Sequence, residues 1–150
     1  MRELALLVAL ATPAAAMPPA QHLPTIAVRT PAATLTLQVA KTELQRELGL
    51  MGVTALPEHT GMLFVFPQDG PVAFWMKDTL IPLDMVFVGS DWKVRSIAAR
   101  VPTVPATMPD ENIPLVRGNA RYVIELSSGE ASQDGIVPGV RLDAVAVHGR

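Results

Sequence analysis

A chain of 150 residues, 49% hydrophobic and only 17% charged, fits one folded domain and excludes disorder, which needs low hydrophobicity and high net charge. The formal charge of −2 leaves no basic footprint for a nucleic-acid backbone or an anionic membrane surface. The absence of cysteine removes disulfides, thiol nucleophiles, zinc–cysteine sites, iron–sulfur clusters and lipidation of an amino-terminal cysteine.

The first 16 residues, MRELALLVALATPAAA, read as a cleavable signal peptide. Arg2 precedes an apolar run from Leu4 to Ala11, and Ala14 and Ala16 supply the small-x-small cleavage pattern. The run is shorter than the ~20 residues that span a bilayer, so no stable membrane span is expected after cleavage. The competing reading is a buried hydrophobic helix or a retained anchor. Cleavage removes Arg2 and Glu3 together, so the mature chain keeps its charge. An exported, periplasmic or secreted location follows. Residues 17–33, with Pro18, Pro19, Pro24 and Pro31, are expected to form an extended, poorly packed leader.

Residues 34–150 then form a single domain. Thr34 to Ala40 alternates as a half-buried strand, with Leu35, Leu37 and Val39 on one side. Thr42 and Gln45 make a capping box that opens a short helix. Leu44, Leu48 and Met51 form its inner stripe, and Gly49 ends it. Gly61 to Phe66 and Pro71 to Lys77 are expected as two strands separated by a Pro67-Gln68-Asp69-Gly70 turn. Leu83 to Val88 and Trp92 to Ala99 read as a hairpin about Gly89-Ser90-Asp91, one arm apolar and the other more polar. Val101 to Gly118, with four prolines, is a long loop, and loops of that length are often functional.

Arg121 to Leu126 is another strand. Ser127 with Glu130 suggests a second capping box, opening a helical turn that Gly135 ends. Val140 to Val147 closes the domain as a strand with Leu142, Ala144 and Ala146 on one side. The expected fold is mainly β, a compact barrel or sandwich of six to seven short strands with two short helices. Strands do not alternate with long helices, which disfavours a doubly wound sheet.

Ala40-x-Thr42, Arg46, Gly49-Leu50-Met51, Leu56-Pro57, Gly61 to Phe66 and the string Phe74 to Asp84 (FWMKDTLIPLD) resemble the Domain of Unknown Function 192 family. Arg121 to Leu126, Gly135-Ile136 and Pro138-Gly139 continue the likeness, which covers Leu35 to Val147. The resemblance implies a small β-rich domain of barrel or sandwich type, often preceded by a signal peptide, with no assigned activity. Two positions depart from the family's pattern: Asp78 stands where Asn is usual, and Val53 where a basic residue is common.

The candidate chemistry centres on Trp75 to Asp84. Strand alternation sends Phe74 and Met76 to the core and leaves Trp75 and Lys77 to line a surface or cleft. Asp84 interrupts an apolar strand, and a buried carboxylate needs a cation or backbone donors. Lys77, Arg46 and Arg121 are its available partners. Asp78, Asp84 and Glu125 are the candidate catalytic acids of a small hydrolase acting on an envelope saccharide or related substrate. Arg46, Trp75, Lys77, Thr79 and Arg121 are the candidate ligand-binding residues. Against the catalytic reading, Asp84 serves as a structural acid that pins a turn, while Asp78 and Thr79 cap the loop before Pro82.

His22, His59 and His148 are widely spaced, and no two of the seven methionines lie one to three residues apart. No metal or other cofactor is therefore expected. No Gly-x-Ser-x-Gly elbow, dinucleotide fingerprint or phosphate loop is present. The favoured function is a non-catalytic binding or accessory module of the cell envelope, with Trp75, Lys77 and the proline-rich loop as its contact surface. Its partner would be a small molecule, saccharide or protein, and not nucleic acid.

Overall fold

The computed structural model describes residues 16–145; all of the expected signal peptide except Ala16, and the end of the last expected strand, lie outside that range. The strands are β1 (Thr25–Arg29), β2 (Thr34–Ala40), β3 (Thr60–Phe74), β4 (Leu83–Val88), β5 (Val94–Val101), β6 (Val116–Ser127) and β7 (Asp143–Val145), with short helices α1 (Glu43–Leu48) and α2 (Glu130–Gln133). They form one seven-stranded sheet in the order β5-β4-β6-β3-β2-β1-β7. Every neighbouring pair is antiparallel except β2 and β3. The mainly β architecture is as the sequence indicates.

The sheet is not closed by a continuous ladder. Its outer strands nevertheless approach each other, because Lys93 bridges Arg141 and the Val94 and Leu142 amides donate to the carbonyls of Val140 and Trp92.

Strand alternation divides the apolar side chains between two clusters. Leu63, Val86, Val88, Ile124 and Leu126 join Val28, Leu35 and Leu37 on one face. Met62, Phe64, Met85, Phe87 and Val123 join Leu50 and Met76 on the other. Both faces of the central strands are covered, and all six residues of β4 are buried. Nearly continuous hydrophobic strands such as β4 are the mark of that arrangement.

Two sequence expectations are corrected here. The stretch 17–33 is not simply a loose leader, because Thr25–Arg29 pairs with both β2 and β7 and Val28 is fully buried. Five residues of mixed polarity supply enough backbone donors and acceptors to join a sheet, and alternation within so short a run is a weak signal.

The Pro67-Gln68-Asp69-Gly70 stretch is not a turn between two strands. It is a bulge inside the 15-residue β3, whose pairing with β6 shifts between Val65 and Gly70. Both halves of β3 pair with the same long β6, so turn residues here add length to one strand instead of reversing it. The hairpin of β4 and β5 forms as expected. Among the described residues no helix is long and apolar enough to cross a membrane.

Candidate functional site

Thr42 caps α1, accepting from the Gln45 amide while the Gln45 side chain accepts from the Thr42 amide. At the other end, Gln21 Nε2 donates to the carbonyls of Gln45 and Gly49 at 2.8 and 2.9 Å. Residues of the amino-terminal segment thus tie down the helix's carboxyl end. Yet α1 has no buried residue. Leu44, Leu48 and Met51, expected as a core-facing stripe, instead line a cavity of about 750 Å³, and Leu44 is 64% exposed. The stripe has the right spacing, but no protein fills the space it faces.

Across the cavity lie Phe64, Phe66, Phe74, Trp75, Lys77, Asp78 and Thr79. Phe74 packs edge-on against Phe64, with ring centres 4.9 Å apart, and against Phe66 at 6.2 Å. The strand ends at Phe74, but the alternation continues beyond it: Met76 is buried while Trp75 is 37% exposed. Arg46 crosses from α1 to β3, donating to the carbonyls of Lys41 (2.6 Å) and Val65 (3.1 Å) with its guanidinium 5.1 Å from the Phe66 ring. Lys77 sits 5.2 Å from the Trp75 ring and pairs with Asp110. That pair draws the proline-rich loop, through its 3-10 turn at Asp110–Asn112, to the cavity edge.

Asp78 has φ +50°, a conformation that Asp and Asn tolerate better than other side chains. Either Asp or Asn at this position therefore preserves the backbone, and the Asp78 carbonyl accepts from the Gly52 amide at 3.1 Å. Thr79 is buried and donates to the Lys77 carbonyl at 3.1 Å. Val53 is not part of this cavity. It lines a second, smaller one of about 510 Å³ with Gln38, Thr36 and Thr60.

Glu125 is the side chain that gives the larger cavity its chemistry. It stands opposite Met62 of β3 and Met85 of β4, is 4% exposed, and borders the cavity. Its carboxyl takes no hydrogen bond or ion pair from the described residues. Burial among apolar groups pushes its pKa up from 4.5 to about 8, because the charged form loses its hydration without gaining a partner. At neutral pH the cavity therefore holds a protonated carboxyl, able to donate one hydrogen bond and to accept others.

The structure brings together six of the residues singled out in the sequence: Arg46, Trp75, Lys77, Asp78, Thr79 and Glu125. Asp84 and Arg121 do not join them. Asp84 shares its strand face with Val86 and Val88, opposite to that of Glu125. It needs no cation: its Oδ1 accepts from the Arg100 amide at 2.8 Å, and its Oδ2 from the Gly129 and Ala131 amides at 3.0 Å each. Asp84 thereby caps α2 from a distant strand. The expected Ser127–Glu130 capping box is absent, since the N-cap is Gly129 with no side-chain cap of its own. Arg121 lies where the β3–β6 register shifts, its guanidinium 5.4 Å from the Tyr122 ring. Among the described residues, its Nε is buried without a partner.

The sequence places Leu48, Met51 and Phe74 in the core and does not mark them as cavity walls, because residues lining an unfilled cavity and residues filling a core share the same composition.

The model of the DUF192 family, described as Uncharacterized ACR, matches residues 25–144. The chain belongs to the DUF192 family. Two solved structures are similar to it. One is from Sinorhizobium meliloti 1021 and is described as a "putative transcription regulator". It is 34% identical, with a TM-score of 0.71 over 81% of this chain and 95% of that one. The other is a protein of unknown function from Novosphingobium aromaticivorans DSM 12444. It is 29% identical, with a TM-score of 0.69 over 85% and 91% of the two chains. No curated protein matches the chain significantly.

Proposed function

We propose that this DUF192 chain is an exported, non-catalytic binding module of the cell envelope, and that its cavity takes a small, largely apolar ligand bearing a hydrogen-bond acceptor. One observation carries the reading: Glu125 is a buried acid without a partner among the described residues, bordering a cavity whose walls include Leu48, Met51, Phe64, Phe66, Phe74 and Trp75. Cavities of roughly 300–1,000 Å³ with a few polar groups in apolar walls are the usual form of small-molecule sites. The uncovered stripe of α1 supports the same view, because Leu44, Leu48 and Met51 gain burial only when something occupies the space.

Catalysis by paired carboxylates is less well supported. Asp84 and Glu125 occupy opposite faces of the sheet, and both oxygens of Asp84 are already engaged, which leaves Asp78 as the one other candidate acid lining the cavity with Glu125. Transcriptional regulation, the description given to the Sinorhizobium protein, finds no counterpart in a chain with 12 basic and 14 acidic residues. Export rests on the pattern of residues 1–16.

Binding is tested with the amphipathic dye 1-anilinonaphthalene-8-sulfonate on the folded protein. Saturable enhancement is expected, together with quenching of Trp75 in a Trp92→Phe background, and both should disappear in Leu48→Arg. Equal enhancement in Leu48→Arg refutes the site. Export is tested by expressing the full chain in a Gram-negative host. A periplasmic product beginning at Met17 is expected, and an uncleaved cytoplasmic product contradicts the reading.

A further inference from the structure

Outside the cavity, three metal-ligating side chains converge where the entry to β3 meets α2. Glu130 and Asp134 lie four residues apart, hence on one face of the helical turn, and His59 approaches them from the segment before β3. His59 Nδ1 is 3.2 Å from Asp134 Oδ1 and 3.6 Å from Glu130 Oε1. One ligand atom from each of the three residues falls within 4.8 Å of the other two. Glu130 and Asp134 are 4% and 2% exposed, whereas the His59 side chain is 41% exposed, so the cluster is rooted in protein and open on one side.

We propose that His59, Glu130 and Asp134 form a site for a divalent transition-metal ion of the zinc class. The first argument is geometric. A metal bonded at about 2.1 Å to both atoms of each pair would see the 3.2 and 3.6 Å separations at angles of about 100° and 120°, on either side of the tetrahedral value. The longer separation is beyond hydrogen-bond reach, so a proton on Nδ1 does not serve both carboxylates equally.

The second argument is charge. Two buried carboxylates face one imidazole, and Glu58 adds a third acid 3.8 Å from the other ring nitrogen. The acidic groups of this poorly hydrated cluster outnumber its one imidazole, an imbalance that a divalent cation offsets. The third is rigidity. The His59 amide donates to Glu130 Oε1, the His59 carbonyl accepts from Thr36, and the Asp134 carbonyl accepts from Ala32, so every ligand-bearing backbone segment is anchored. His59 also has φ +60°, a backbone region uncommon for residues with a side chain, though His enters it more readily than most. One imidazole nitrogen and two carboxylate oxygens suit zinc, and three protein ligands leave a fourth position for water.

The test is isothermal titration of the untagged chain with Zn²⁺ at neutral pH, with far-UV circular dichroism to confirm folding. Binding of one ion with a rise in melting temperature is expected in the wild type and in a His22→Ala control. His59→Ala and Asp134→Asn are expected to weaken binding by about tenfold or more. Where a variant fails to fold, Zn²⁺ protection of His59 from diethylpyrocarbonate, mapped by mass spectrometry on the wild type, replaces it. Absence of binding by the wild type, equal affinity in His59→Ala, or unprotected His59 would overturn the proposal. None of these outcomes bears on the cavity around Glu125.

Discussion

Replacing Glu125 by Gln tests whether the cavity holds a protonated acid. The carboxyl releases its proton near 4.5 when the chain is unfolded and near 8 when folded. The folded state therefore binds more protons between those values, and its stability must fall as pH rises through that window. Stability tied to the protonated group is complete below the unfolded pKa and is lost as pH climbs to the folded one.

At about 1.4 kcal/mol per pKa unit, the loss in wild type is below about 1 kcal/mol at pH 5, about 3 at pH 7, and about 5 by pH 9, where it levels off. A glutamine side chain at this position mimics the neutral acid at every pH. Urea unfolding of the wild type and Glu125→Gln at these three pH values should therefore start nearly equal and diverge, the variant becoming the more stable protein. Glu130, whose pKa burial also raises, is present in both and cancels in the difference. Parallel pH profiles would refute the reasoning and leave Glu125 either hydrated or paired.

Asp84→Ala strips the partner from the Arg100 amide and from the buried amides of Gly129 and Ala131, and a loss of about 3–5 kcal/mol is expected in chemical denaturation. Gly61→Ala drives a Cβ into the Glu125 carbonyl oxygen, a backbone clash that no rotamer change relieves. Its melting temperature should fall steeply, while Gly70→Ala, with open space around it, should melt close to wild type. Asp78→Asn should retain full stability and Asp78→Ala lose about 1 kcal/mol, since φ +50° and not charge sets the preference. Equal losses in the two Asp78 variants would show that the carboxylate itself matters.

Much of the fold was legible because it rests on local pattern. β2, the capped α1 and the β4–β5 hairpin each follow from alternation, a capping box or a turn signal within a dozen residues. The misreadings of the sheet turn on pairing, which the residues of one strand do not display by themselves. β1 is recognisable only through pairing with β2 and β7, and the bulge at Pro67–Gly70 only through its common partner β6. The site divides in the same way. Trp75, Lys77, Asp78 and Glu125 stood out as polar or aromatic groups in apolar strands. That Glu125 lacks a partner while Asp84 is fully satisfied depends on which sheet face each occupies, and no single strand reveals that. His59, Glu130 and Asp134 span 76 positions of the chain, and only the packing of α2 against the β3 entry makes them neighbours.

The pairing of β1 with β7 makes the beginning and the end of the domain neighbours. A ribosome or translocation channel that still holds β7 withholds one flank of β1, so the sheet finishes assembling only once β7 has emerged. Linking the two ends and opening a surface loop instead, for example near Asp91, should yield a permuted protein with the same ladder order and a shorter path to closure.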